Sequence, residues 1–598
     1  MLIKALCEYD MLNESNIPDG YCEQPVSFEI LLTKEGGISE ILDIRKKEEL
    51  LQKNGKTKTV LRARSMILPV RTQKPGIDKN TIEHRPLYIF GLNLEKGVLT
   101  PNDKTDKAKK SHKCFCDWNG EFFKDIDSQI AQAYYKFIVN WKSEEETEND
   151  ELLKLGKDYA SASYCFGLDG HPELLLHDDE KFKQKYSEYM KMLLSEKASD
   201  EDEEAECGVL GEKLPVARIH DKIKGIAGGL ATGCVLVGMK ESAYESYGKK
   251  QSFNSNISEK AMKMYTSALN KLLADKSHHQ IIDELTIVYF AMKKDDKVEC
   301  DAMSMLFGDT SATDKERDLS GFFEKTKGGI VGDLSKFGLD SNVVFYVAGL
   351  SPNSSRICQK FIMRDKFGDI VKHLVQHQRD LAVSQDSRQI FFSTIKRELI
   401  SPKSSNEKVP SPLIAGLIEA ALKGTNYPEA LLSTVVRRIK TDSDEDKNHF
   451  IKLNDVRVGV VKGCLNRKAR LAEKKEEIKM SLDTENKNPA YLCGRLFAVL
   501  EKIQNDASNG GLNKTIKDSF FSSACSKPSS VFPKLVQLSQ NHLKKLTNPI
   551  FYNKLLGEII DGFDGQFPST LSLDEQGMFI IGYYQQNRDL YTKKSTDE

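Results

Sequence analysis

Residues 215–250, LPVARIHDKIKGIAGGLATGCVLVGMKESAYESYGKK, join a cationic cluster to a glycine-dense run. Arg218, His220, Lys222 and Lys224 could neutralise phosphates. Gly225, Gly228, Gly229 and Gly233 let a backbone turn sharply or lie close against another polymer. The run is not a nucleotide cradle. A P-loop needs Gly-Lys-Ser/Thr opening a helix, whereas these glycines lead into Cys234–Val237, an apolar stretch that predicts a strand. The order strand, GxGxxG, helix of a dinucleotide site is missing as well. The competing reading is a surface loop with solvated lysines.

Two further sets of residues suit nucleic acid. The polar loop Arg71, Thr72, Gln73, Lys74, Pro75, Gly76, Ile77, Asp78, Lys79, Asn80 offers amide groups that can bond base edges, between cations that can hold phosphates. Residues 501–555 hold eight lysines against three acids, Glu501, Asp506 and Asp518. Of the eight, Lys502, Lys514, Lys517, Lys534, Lys544 and Lys545 are expected to line a path for a single strand. Metal and catalytic signals are weak. His112, Cys114 and Cys116 lack a second ligand pair, and His177-Asp178 lacks the remaining ligands of a metal hydrolase. No catalytic residue, metal or cofactor is expected.

The elements that must position these residues follow from periodicity. A short helix is expected over 2–12, with strands at 26–33, 38–45 and 64–71 and a Lys-Glu-Gly-Gly hairpin turn between the first two. Residues 122–141 and 180–195 read as helices, and Ser258 as the cap of a helix over 259–274. Residues 286–292, 343–350 and 357–365 read as strands. From 368 to 480 the chain is mostly helical, with Arg437-Arg438 and the tract 466–470 expected as exposed cations. Beyond 480, four apolar stripes at helical spacing suggest a four-helix bundle. The fold class is therefore α+β: a mixed N-terminal α/β region over 1–350, a mostly helical connecting region over 351–479 and a helical bundle over 480–598.

Bulk properties narrow the class. With 598 residues the chain exceeds one core. It has no apolar run long enough for a membrane span and no signal-peptide pattern at its start, and its 12 scattered cysteines fit a reducing cytoplasm. The net charge of −1 hides an asymmetry. Segments 143–151 and 199–206 each carry six acids and no Lys or Arg, and outside them 76 acids face 87 bases. The body is mildly basic, as a nucleic-acid binder needs to be.

The codons add an inference. Every Lys and Glu codon is all purine, so Lys474-Lys475-Glu476-Glu477 encodes twelve consecutive purines, ending two codons before Met480. That resembles a bacterial ribosome-binding site ahead of an internal start, from which translation would yield the 119 residues of the helical bundle.

The set of motifs PVARIHDKIKGIAGG (215–229), AYESYGKKQSFN (243–254), AGLSPNSSR (348–356), NPAYLCGRLFAVLEKIQ (488–504) and TLSLDEQGMFIIGYYQQ (570–586), in this order, resembles the large subunit of type I-C CRISPR Cascade complexes. The likeness runs from the N-terminus to about residue 587. The glycine stretch departs from the more Ser-rich family form, and both acidic blocks look like local insertions. The resemblance implies a non-enzymatic subunit near the 5′ handle of a guide RNA. Such a subunit recognises a short protospacer-adjacent motif in target double-stranded DNA, helps open the duplex and holds the displaced strand. Its implied partners are the Cascade backbone and handle-binding subunits, small subunits and a separate helicase-nuclease, with no membrane. The family also makes a small subunit from an internal start, in line with Met480. Two other classes compete: a metal-dependent nuclease built on His177 and Asp178, and a scaffold that binds only protein.

Overall fold

The structure is a computed structural model that describes residues 1–13, 18, 20–51, 57–71, 77, 79–101, 106–197, 204–308, 334–404, 407–444, 451–473, 477–508, 512 and 514–592. It is α+β, with strands concentrated in the N-terminal part and helices in the C-terminal part. Two compact units are present: Glu14–Glu203, and a larger one that joins Met1–Asn13 to Glu204–Glu598.

In the smaller unit, Phe28–Leu32 and Ile38–Asp43 form the expected hairpin. Thr33 N–H donates to Gly37 O at 2.8 Å, and Gly36 takes φ +89°, a conformation that only glycine adopts without strain. Tyr164–Leu168 lies parallel to Phe28–Leu32, with His171–Leu175 at its other edge. Parallel neighbours require a crossover. That connection includes the helices Asp106–Phe123 and Gln129–Asn140, the second capped by Ser128. Tyr134 and Phe137 pack on Phe166 of the sheet. The helix Asp106–Phe123 was masked in the sequence by its lysines, yet Phe115, Phe122 and Phe123 bury its apolar side.

The larger unit is built on an antiparallel sheet in the order His279–Ile282, Leu285–Ala291, Val344–Asn353, Arg356–Lys366. Successive side chains of a strand face opposite ways. Val288 and Phe290 join a core with Leu6, Tyr9, Tyr265 and Leu269, from the helices Leu2–Leu12 and Glu259–Ala274. Ile287 and Tyr289 enter a second core, which continues through the helices Phe367–Leu381, Ser411–Lys423, Glu429–Thr441 and Asp455–Leu471.

The described C-terminal residues form five helices, not four: Pro489–Ala507, Ile516–Ser526, Pro528–Leu543, Pro549–Ile560 and Leu573–Tyr591. The extra one, Ile516–Ser526, has a capping box at Thr515 and Asp518 but buries only three residues, too few for a clear stripe. Gly494 and Gly582 let the first and last of these helices meet backbone to backbone, since a Cβ on either would collide with the partner's carbonyl. This core also takes in Val461 and Leu465 of Asp455–Leu471.

The cations of that last helix correct an expectation. Arg467 is buried, with Nε 3.2 Å from Asp380 Oδ2, and Arg470 grips the same carboxylate at 2.6 and 2.9 Å. Lys468 bonds Asp574 at 2.8 Å, and Arg438 is buried beside Asp442. Only Arg437 of its pair is exposed. A helical face carrying cations is solvated only where no buried acid stands opposite it.

Candidate nucleic-acid interface

The three candidate regions differ in what they present. In the smaller unit, Thr72, Gln73, Lys74 and Asp78 lie outside the described residues. The flanks of their loop converge on one fully buried carboxylate, Glu83. It accepts Arg85 at 2.6 and 2.9 Å, the Asn80 amide at 3.2 Å and the backbone N–H groups of His84 and Arg85. Arg71 Nη1 stands 3.6 Å away. Burial pushes the Glu83 carboxyl up, but Arg85, His84 and Arg71 outweigh it and hold it below the ordinary range. Asn80, expected to read a base edge, is only 6% exposed, and Asn119 donates to its carbonyl. It fastens the loop instead of facing solvent. Lys79 is exposed, with its Nζ 5.3 Å from the centre of the Trp118 ring.

The glycine loop in the larger unit is closed at its base, where Ile223 and Cys234 exchange backbone bonds at 2.7 and 2.9 Å. It is also fastened from outside. Lys224 N–H donates to Asn270 Oδ1 at 2.8 Å, Asn270 donates to Lys222 O, and Ala227 N–H donates to Thr286 Oγ1. These bonds hold the main chain on the helix Glu259–Ala274 and on the sheet, while Arg218, Lys222 and Lys224 stay exposed.

Two expectations change here. Cys234–Val237 forms single bridges, to Ile223 and to Arg356, and not a strand. His220 is 3% exposed, with Nδ1 2.6 Å from the Tyr265 hydroxyl, and burial lowers its pKa to about 4. It is a neutral core group and not part of the cationic rim. The glycines serve the loop's own geometry. Gly225 and Gly228 have φ +88° and +73°, and a Cβ on Gly229 would press on Cys234 and on the carbonyl of Ile226.

Beyond the glycines, residues 241–254 form a braced hairpin. Ser246 pairs with Lys249, and Asn254 accepts from Ser246 and donates to Lys249 O and Gln251 O. Arg218 Nε donates to Gln251 Oε1 at 3.0 Å, tying the hairpin to the cationic cluster.

Among the C-terminal lysines, Lys502 is paired with Asp506 and lies over the Tyr591 ring, and Lys517 is paired with Asp444. Lys514, Lys534, Lys544 and Lys545 are exposed.

Among the described residues, one group of side chains has metal-ligand spacing: His278, Asp296 and Cys300, with ligand atoms within 4.8 Å of one another. Neither His112 with its cysteines nor His177 with Asp178 belongs to it. His278 Nδ1 lies 3.1 Å from Asp275 and Nε2 3.0 Å from Asp296, which also accepts the Tyr9 hydroxyl and the Ala291 N–H. Burial opposes a charge on His278, but its two carboxylates prevail and lift its pKa to about 9. In this arrangement the group is an ion clamp that pins Tyr9, on the first helix, beside the sheet.

The family model described as CRISPR-associated protein (Cas_Csd1) matches residues 6–591. The chain belongs to the CRISPR-associated Cas_Csd1 family. The match spans both compact units and every motif quoted above. Among curated proteins, none matches the chain. No described helix is long and apolar enough to cross a membrane.

The residues that sequence reasoning missed are those fastening the candidate loops, each within its own unit: Glu83, Asn254 and Asn270. Each is a lone polar residue in the sequence, and only the groups that the fold gathers around it reveal its role.

Proposed function

We propose that this Cas_Csd1 chain is the non-catalytic large subunit of a type I-C Cascade complex. In this reading it recognises a protospacer-adjacent motif in target double-stranded DNA, promotes R-loop formation, stabilises the displaced strand and helps recruit the helicase-nuclease. The observation that carries the reading is the trio of exposed cations, Arg218, Lys222 and Lys224, on and just before a loop closed at Ile223 and Cys234 and bonded down at Lys224 and Ala227. Pairing with the guide supplies sequence specificity, so the protein needs only a short motif reader and phosphate contacts. Lys222 and Lys224 contact phosphates, and the nearby main chain at Gly225, Gly228 and Gly229 approaches a groove. Thr72, Gln73, Lys74 and Lys79 form a second contact, with Arg71 and Asn80 as its anchors. Lys514, Lys534, Lys544 and Lys545 follow the displaced strand, with Lys502 and Lys517 supporting that face through their ion pairs.

The bundle is also made separately from Met480. In the full chain, the segment before it is tied to the helix Asp455–Leu471, because Ile478 N–H donates to Asn466. Gly577 sits against Val461 and Leu465 of the same helix. A free bundle exposes that seam, which suits a protein that docks on a partner. Replacing the Met480 codon with a non-start codon should abolish a short product in cells; recovering the product would sink this part of the reading.

The whole reading is tested by binding the assembled complex to target duplexes carrying every variant of the flanking motif. Motif-dependent binding that weakens in Lys222→Ala/Lys224→Ala supports it. Equal binding to all flanks by the wild type favours a protein-binding scaffold.

A further inference from the structure

Tyr247 is 99% exposed, the most exposed large apolar side chain among the described residues. It sits where such a residue is least expected. Lys249 N–H donates to Ser246 O at 3.0 Å, so Tyr247 and Gly248 are the two central residues of a tight hairpin turn. Both have positive φ, +52° and +74°. A two-residue turn of this hand fits the natural twist of a hairpin, and its first central position favours Asn, Asp or Gly, because a larger side chain is strained there. Here that position carries an aromatic ring that no packing explains.

The strain is held in place by bonds dedicated to it. Asn254 accepts from the Ser246 N–H and hydroxyl, both at 3.0 Å, and donates to Lys249 O at 2.7 Å, which clamps both arms of the turn. Gln251 N–H donates to Glu245, and Arg218 to the Gln251 side chain. At the hairpin's base the Arg356 guanidinium lies 4.5 Å from the Tyr244 ring centre. The outcome is a turn braced through its backbone that presents one ring outward.

We propose that Tyr247 is a base-stacking residue, its ring taking the face of an unpaired nucleobase in target DNA next to the bound duplex. This rests on the DNA-binding reading above and deepens it. Aromatic faces stack on any base, so such a contact suits a protein that must open many sequences. The ring's neighbours in sequence are Glu245, Ser246, Gly248, Lys249 and Lys250, and Glu245 already accepts a bond from Gln251. A polar, cationic collar around one ring fits a nucleic-acid strand better than an apolar protein surface, which would call for a wider patch. Bracing the backbone that carries the ring lowers the ordering cost of binding.

The test uses the assembled complex and target duplexes with 2-aminopurine at each position beside the motif. The informative variants are Tyr247→Phe, which keeps the ring, and Tyr247→Asn, which keeps the turn and removes the ring. Wild type and Tyr247→Phe should quench the probe at one position as the duplex opens. Tyr247→Asn should lose that quench and open the duplex roughly 5- to 100-fold more slowly, the loss of one base–aromatic stack. Its affinity for a cross-linked duplex that cannot open should stay within about twofold of wild type. Wild-type quenching and opening by Tyr247→Asn, with motif-dependent binding intact, overturns this inference and leaves the DNA-binding reading standing. Loss of another subunit from the Tyr247→Asn complex overturns it in favour of a protein contact. Wild-type complex that binds all flanks equally removes both.

Discussion

The strap around Glu83 and the loop cluster of residues 215–254 look alike in sequence: each mixes cations with turn-forming and amide residues. The structure treats them in opposite ways. In the strap a buried carboxylate draws Arg71, Arg85 and Asn80 inward. In the loop cluster the main chain is drawn inward by Asn270 and Thr286, and the cations are left facing solvent. Whether the cations of a segment turn inward or outward therefore depends on what the fold places opposite them. A buried acid takes side-chain cations as partners, whereas a neutral amide or hydroxyl takes backbone and leaves the cations at the surface.

The largest effect should come from removing the acid that defines the first case. Glu83→Gln leaves Arg85 and Arg71 without their shared partner and should cost on the order of 3 kcal/mol, tempered because Arg85 is partly exposed. Hydrogen exchange across residues 79–90 of the full chain should rise. Unchanged protection would mean that the carboxylate does not organise the strap.

Next in size is the outward case. Lys222→Ala/Lys224→Ala should weaken binding of the complex to every duplex and lower the salt slope by about two, without changing fold stability. An unaltered slope would place these lysines away from phosphates.

The ion clamp at His278 offers a titratable version of the inward case. Its folded pKa of about 9 lies above the ordinary histidine value, so the charged form stabilises the fold. That contribution is complete below about pH 6.5 and is lost as pH rises through about 9. Melting temperature should fall over this window, and His278→Asn should flatten the fall. A wild-type profile in the variant would show that the Asp275–His278–Asp296 contacts carry no linkage.

The smallest effect sharpens the contrast most. Asn80→Ala should cost about 1 kcal/mol of local stability and leave motif preference as it is. A relaxed motif preference would return Asn80 to the role its residue type suggests.

Much of the fold was legible because long periodic segments bury large faces. The strands around 286–292 and 343–350, the Ser258 cap and the Gly36 hairpin all follow from local rules. The helix Asp106–Phe123 was hidden because its lysines drown a narrow apolar stripe, and Cys234–Val237 failed as a strand because the loop offers it no neighbour beyond single bridges. The candidate site was legible as composition and not as geometry. Arg218, Lys222 and Lys224 emerged outside as read. His220, Arg467 and Asn80 did not, since local charge patterns carry no information about a distant Tyr265 or Asp380, or about the burial of Glu83 only three residues from Asn80.

The central claim, that the braced loop cluster is the outward, DNA-contacting face, is tested most directly by the salt dependence of binding. The assembled complex would be titrated with one target duplex at several salt concentrations, comparing wild type, Lys222→Ala/Lys224→Ala and Asn80→Ala. The account predicts a slope shallower by about two units for the lysine pair and a wild-type slope for Asn80→Ala. A wild-type slope for the lysine pair would contradict it.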